Sequence, residues 1–149
     1  MSAQLLLKLV ILSNPSVLCV VRGAMERLTE IFGFNPPECR SITRAVDEAL
    51  TNVMRHSYGG RVDRLIEMEI RRIPGRAAAN RGDGLEILLL DRGPAINPAK
   101  LRGRELDDIK PGGLGLHFIR KSMDTVVFKR MGKANQLRLV KYLQMPKEV

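Results

Sequence analysis

Aromatic side chains make up only 4% of the 149 residues, and tryptophan is absent. The core must therefore be aliphatic, and a platform of stacked rings for single-stranded bases is hard to assemble. Two cysteines, Cys19 and Cys39, lie in apolar or helical patterns without a CxxC partner, so they read as reduced thiols and fit a cytoplasmic protein. Long apolar runs are missing as well. Leu5 to Leu12, interrupted by Lys8, is about half the length of a membrane span, and no small-residue cleavage site follows it. Neither a signal peptide nor a membrane anchor is expected. No GxxxxGK[ST] occurs, which excludes the ordinary P-loop, and no GxGxxG follows a strand. His56 and His117 have no Cys, His or Asp at ligand spacing, so they read as packing or hydrogen-bonding residues.

What is present is an ordinary globular balance, 44% hydrophobic and 28% charged residues, at a length that suits one domain over 1–149. There are no internal repeats and no linker. Twenty-five Lys and Arg against 16 Asp and Glu give a net charge of +9, which favours acidic partners. Nucleotide phosphates, an acidic protein, nucleic acid and an anionic membrane would all satisfy it. Most of that charge reads equally as solvated surface, so neither direct nucleic-acid contact nor a membrane is expected.

Leu5 to Leu12 reads as a first strand, and Ser13-Asn14-Pro15 ends it and starts a helix from about Ser16 to Phe32. Gly33 closes that helix and Asn35-Pro36-Pro37 opens another, expected from about Pro37 to Ser57, in which Ile42, Ala45, Val46, Ala49, Leu50, Val53 and Met54 recur at helical spacing. Leu65 to Ile73 alternates as a half-buried strand, Leu85 to Leu90 is a more apolar one, and Gly82-Asp83-Gly84 suggests the hairpin turn between them. Arg92 to Gly113 has no clear periodicity and reads as a lid. A short helix at Leu116 to Met123 and two closing strands, Thr125 to Lys129 and Gln136 to Leu143, complete the chain, with Gly132 to Asn135 as their turn. This order does not alternate as βαβ units would, so the expected architecture is a mixed sheet with helices layered on one face.

Three weak signals carry chemistry. On the second helix residues turn by about 100° each, so Glu48 and Asn52 point the same way, off the apolar face and flanked by the small Ala45 and Ala49. A carboxylate and an amide there can hold a metal ion and activate a hydroxyl; the plainer reading pairs Glu48 with Arg44 on the surface. Asp91-Arg92-Gly93 places a carboxylate at a strand end, where it can accept from an exocyclic amine while Gly93 lets a ring approach; a turn-initiating Asp is the alternative. Gly112-Gly113-Leu114-Gly115 precedes the Leu116, Ile119, Met123 stripe, so amides at a helix start can bind phosphates; a flexible linker is the alternative.

Taken in order, helix ExxxN, strand-end DxG and glycine loop before a helix resemble the histidine-kinase-like (GHKL) ATPase superfamily. Within it, Ala45 to Val53 with His56 and Tyr58 behind, Asp91-Arg92-Gly93-Pro94, and Gly113 to His117 running on to Met123-Asp124 look most like the anti-sigma-factor serine kinases. The resemblance implies an α+β two-layer sandwich whose mixed, mostly antiparallel sheet carries helices on one face. It implies ATP and Mg²⁺ as cofactors, Glu48 as general base toward a protein serine, Asn52 as the Mg²⁺ ligand and Asp91 as the acceptor for the adenine amino group. Gly93 would form part of the adenine wall, and Gly112, Gly113, Leu114, Gly115 and Leu116 would form the phosphate loop. Arg104, with Arg102 and Lys110, is a γ-phosphate candidate chosen by charge. Implied partners are a sigma factor that the protein sequesters, an anti-anti-sigma antagonist that it phosphorylates, and a second copy in a homodimer. Pro94-Ala95 stands where the superfamily has the second glycine of DxGxG, which keeps open an ATP-binding interaction module without kinase turnover. A sensor histidine kinase is not expected, because it would need a helical dimerisation domain ahead of the ExxxN helix, and the roughly 36 residues there are claimed by a strand and a helix.

Overall fold

The computed structural model describes residues 2–95 and 113–146. Five strands form one sheet in the order β1-β2-β3-β5-β4: β1 (Gln4–Leu12), β2 (Leu65–Ile73), β3 (Arg81–Asp91), β4 (Thr125–Met131) and β5 (Ala134–Gln144). Every pairing among the described residues is antiparallel, so the expected two-layer α+β architecture holds with a sheet that is not mixed.

Among the described residues three helices cover one face: α1 (Leu18–Phe32), α2 (Pro36–Asn52) and α3 (Gly113–Ser122), with α2 packed against both of the others. Alternation decides which side of each strand they cover. Ile66, Met68 and Ile70 of β2, Leu85, Ile87 and Leu89 of β3 and Leu137 and Leu139 of β5 are buried, and they meet Val21, Met25, Ile42, Val46, Leu50 and Ile119 from the helices. The intervening positions form a solvent-facing ladder in which Glu69 pairs with Lys8 and Arg71, and Glu86 with Arg138 at 2.7 Å.

Local chemistry sets the helix ends. Asn14 caps a short 3₁₀ turn, Pro15–Val17, so regular α-helix begins at Leu18, two residues beyond the expected Ser16. Gly33 ends α1 at φ 116°, a left-handed value that costs glycine nothing. At the start of α2, Asn35 Oδ1 accepts from the Glu38 amide at 2.9 Å and Glu38 Oε1 accepts from the Asn35 amide at 3.4 Å, a complete capping box. Asn35→Ala is expected to lower the unfolding free energy by about 1 kcal/mol without changing the denaturant slope, measured by urea titration.

Three expectations are corrected. Gly82-Asp83-Gly84 is not a turn: all three lie inside β3, which starts at Arg81, and the connection from β2 instead runs through a 3₁₀ turn at Ala77–Ala79 closed by Asn80 at φ 55°. The glycine at 84 answers a close approach, since a Cβ there would lie 2.8 Å from the Tyr142 ring and 2.9 Å from Ile73 Cγ1. The third helix starts at Gly113, not Leu116, so Gly113, Leu114 and Gly115 belong to its first turn. The final turn is Gly132-Lys133, with Gly132 at φ 62° as the first central residue, which suits the right-handed twist of β4 and β5.

Candidate functional site

The helical run that begins as α2 continues to Ser57, but its last turn, Val53–Ser57, has π geometry, with the Tyr58 amide donating to the Val53 carbonyl at 2.9 Å. The wider turn brings two consecutive side chains, Ser57 and Tyr58, down onto the end of β3. Ser57 Oγ donates to Asp91 Oδ1, while the Tyr58 hydroxyl donates to the Leu65 carbonyl at 2.6 Å and accepts from the Arg92 amide at 2.9 Å. Burial is the main cause that raises the Tyr58 hydroxyl pKa above its ordinary value. The Asp91 charge adds to it, and the Arg92 amide and nearby arginines oppose it.

Asp91 follows Leu85, Ile87 and Leu89 on the helix side of β3 and is only 4% exposed. Its Oδ1 accepts from Ser57, from the Gly93 amide at 2.9 Å and from Asn135 Nδ2 at 3.0 Å, and no described residue donates to Oδ2. A buried carboxylate with one oxygen saturated and the other without a donor among the described residues is suited to receive a hydrogen bond from a ligand amine. Gly93 is needed by the protein itself, because a Cβ there would fall 2.0 Å from Ser57 Oγ.

Glu48 and Asn52 are half-buried on α2, and neither makes a side-chain hydrogen bond among the described residues. They lie about 6 Å apart along the helix axis, on the same run that delivers Ser57 to Asp91. Arg44 does not pair with Glu48; its guanidinium stacks 4.0 Å over the Phe118 ring and joins α2 to α3. Ala45 and Ala49 are part of the core, 0% and 2% exposed, so they pack against protein and do not border an open space. Leu116 is buried in α3, whose first turn carries Gly113, Leu114 and Gly115. Gly112, Arg102, Arg104 and Lys110 lie outside the described residues.

His56 and His117 are both exposed, so neither serves packing. Among the described residues no three His, Cys, Asp or Glu side chains cluster as metal ligands. Glu48 and Asn52 nevertheless offer hard oxygen donors, and Mg²⁺ suits such a sparse set, because it is ordinarily held by one or two protein oxygens together with phosphates and water. On the opposite, solvent-facing side of the Ser57–Gly93 seam lies a cavity of about 530 Å³ bordered by Tyr58, Arg64, Glu67 and Arg92.

Ser57, Asn135 and Arg130 carry no motif, and sequence reasoning missed all three. Asn135 read as a turn residue, yet it is 6% exposed and paired with Asp91 across β3 and β5. No local signal marks such a residue, because its role depends on strand register.

This fold defines a two-layer α+β domain, and its family is shown directly. The chain belongs to the histidine kinase-like ATPase domain family, whose model matches residues 12–141. It is 29% identical over 135 residues to the serine-protein kinase RsbW of Halalkalibacterium halodurans, covering 84% of this chain and 75% of that protein. It is 25% identical over 129 residues to RsbW of Bacillus pumilus, covering 81% and 76%. A serine/threonine-protein kinase, BtrW of Bordetella bronchiseptica, is 26% identical over 106 residues, covering 68% and 69%. Among solved structures, the RsbU and RsbW domains of a Mycobacterium tuberculosis protein superpose with a TM-score of 0.63 at 13% identity, covering 98% of this chain and 34% of that one. The SiaB–SiaC complex of Pseudomonas aeruginosa gives 0.57 at 12% identity, covering 94% and 91%. These two likenesses are likenesses of fold.

Proposed function

We propose that this chain binds Mg-ATP and transfers the terminal phosphoryl group to a serine of a partner protein. The observation that carries this reading is the Asp91 carboxylate, buried at the end of β3, where no described residue donates to Oδ2 and the adenine amino group would do so. In this reading Asn52 holds Mg²⁺, Gly93 forms part of the adenine wall, and Gly112, Gly113, Leu114, Gly115 and Leu116 bind the phosphates at the start of α3. Arg104 reaches the γ-phosphate. When bound, Mg²⁺ neutralises phosphate charge. Glu48 orients the serine hydroxyl and takes its proton, a role that its half-exposed position and the lack of a competing hydrogen bond among the described residues leave open.

The kinase names of the relatives support phosphoryl transfer to a protein hydroxyl. The setting we propose for it is that of a cytoplasmic, one-domain homodimer, an anti-sigma regulator that sequesters a sigma factor and phosphorylates an anti-anti-sigma antagonist. Exposed Val10, Leu12 and Leu65, neighbours on β1 and β2, offer apolar side chains such a self-contact would cover.

Calorimetric titration of Mg-ATP into the wild type and Asn52→Ala tests the reading. Wild-type binding that weakens by about tenfold or more in the variant is the expected result. No binding to the wild type would withdraw the kinase reading and leave a fold used for protein contacts.

A further inference from the structure

We propose that the cavity on the solvent-facing side of the Ser57–Gly93 seam is a docking site for an acidic segment of a partner protein. Arg64 and Arg92 receive its carboxylates, and Tyr58, Leu90 and Pro94 receive an apolar side chain beside them. The inference stands apart from the nucleotide reading above.

The two cations come from distant parts of the chain. Arg64 immediately precedes β2 and Arg92 immediately follows β3. The ladder between those strands begins at Glu67 opposite Leu90, and it brings both arginines to the border of one space of about 530 Å³. Neither guanidinium makes a hydrogen bond or ion pair with another described residue, although Asp63 and Glu67 border the same space. Asp63 is taken by Arg61 at 3.2 Å.

The backbone beneath both arginines is fixed by buried side chains. Ser13, 1% exposed, donates through Oγ to the Arg61 carbonyl at 2.6 Å and accepts from the Arg64 amide at 3.1 Å, while its own amide donates to the Arg64 carbonyl at 2.7 Å. The Tyr58 hydroxyl holds the Arg92 amide at 2.9 Å and the Leu65 carbonyl at 2.6 Å. Cations projecting from a clamped backbone lose less freedom on binding than cations on a loose loop. Two guanidiniums bordering one space favour an anion over a neutral or basic occupant, and their forked donors match carboxylates. The net charge of +9 draws acidic partners toward the surface as a whole. Glu67 separates a peptide from a nucleic acid: a peptide can set an amide N–H against it and carboxylates against the arginines, whereas a phosphodiester chain carries a negative charge at every unit.

The test follows amide chemical shifts of the full chain while an acetylated, amidated peptide of alternating Glu and Leu is added, beside the same peptide with Gln or Lys in place of Glu. The acidic peptide is expected to bind more tightly than the other two and to shift Tyr58, Arg64, Leu90 and Arg92 most. The double variant Arg64→Gln, Arg92→Gln alters only exposed side chains and is expected to fold, to bind Mg-ATP as the wild type does, and to hold the acidic peptide about fivefold or more weakly. Arg76→Gln, at an exposed arginine beyond the opposite end of β2, should change that affinity by less than about twofold. No shifts at the four residues, equal binding of the three peptides, or an acidic peptide indifferent to the double variant overturns the proposal. The same shifts from inorganic phosphate would assign the cavity to a free anion, and shifts that grow with protein concentration alone would assign it to a second copy; either result also overturns it. Mg-ATP binding is measured separately, so these failures leave the nucleotide reading untouched.

Discussion

Glu48→Ala is expected to bind Mg-ATP with nearly wild-type affinity and to transfer phosphate to a protein serine about 10²- to 10⁴-fold more slowly. Glu48 makes no side-chain hydrogen bond among the described residues and stands half-exposed on α2. Its removal should therefore change stability by no more than about 0.5 kcal/mol. The loss would then report on the serine hydroxyl, not on a damaged pocket. Following label from the γ-position of ATP into the antagonist protein measures it, beside a calorimetric control for nucleotide binding. Transfer at the wild-type rate would take the base role away from Glu48. Absence of transfer even in the wild type, with binding intact, would favour the interaction module without turnover.

The second large effect is on the fold itself. Gly93→Ala puts a methyl group 2.0 Å from Ser57 Oγ and 2.7 Å from the Ser57 carbonyl oxygen. A hydroxyl can rotate away, but a backbone carbonyl in a π turn cannot, so the end of β3 must separate from the end of the α2 run. We expect a loss of about 3 kcal/mol in unfolding free energy, seen as a urea midpoint lower by about 1 M or more. Ser57→Ala in the same background should recover only part of it, because the carbonyl contact remains. A Gly93→Ala protein as stable as the wild type would refute the close packing of this seam. The experiment also separates two reasons for a glycine at 93: room for a ligand ring, and room for Ser57.

Pro94-Ala95 in place of a second glycine has a structural counterpart. The Pro94 carbonyl is held by Asn135 and the Gly93 carbonyl by Arg130, so side chains of the β4–β5 hairpin secure the backbone at this point.

Much of this molecule is legible in local sequence. Helical spacing places Ile42, Val46 and Leu50 inward and Glu48 and Asn52 together; Asn35, Pro36 and Glu38 announce a helix start; alternation in β2 assigns Ile66, Met68 and Ile70 to the core. Each of these depends on neighbours within about one turn or two strand residues, which is the range over which backbone periodicity acts. Asp91 and Gly93 were visible for the same reason, as a strand end followed by a residue free of Cβ.

Tertiary structure decided the rest. Gly82 and Gly84 looked like a turn because glycine permits both a turn and a close approach, and only the neighbouring Tyr142 and Ile73 distinguish them. Asp91 meets Ser57 across 34 residues and Asn135 across 44. Those meetings require a π turn at one end of α2 and one particular register of β3 against β5. Both are set by how the helices pack on the sheet, so no local pattern in the chain encodes them.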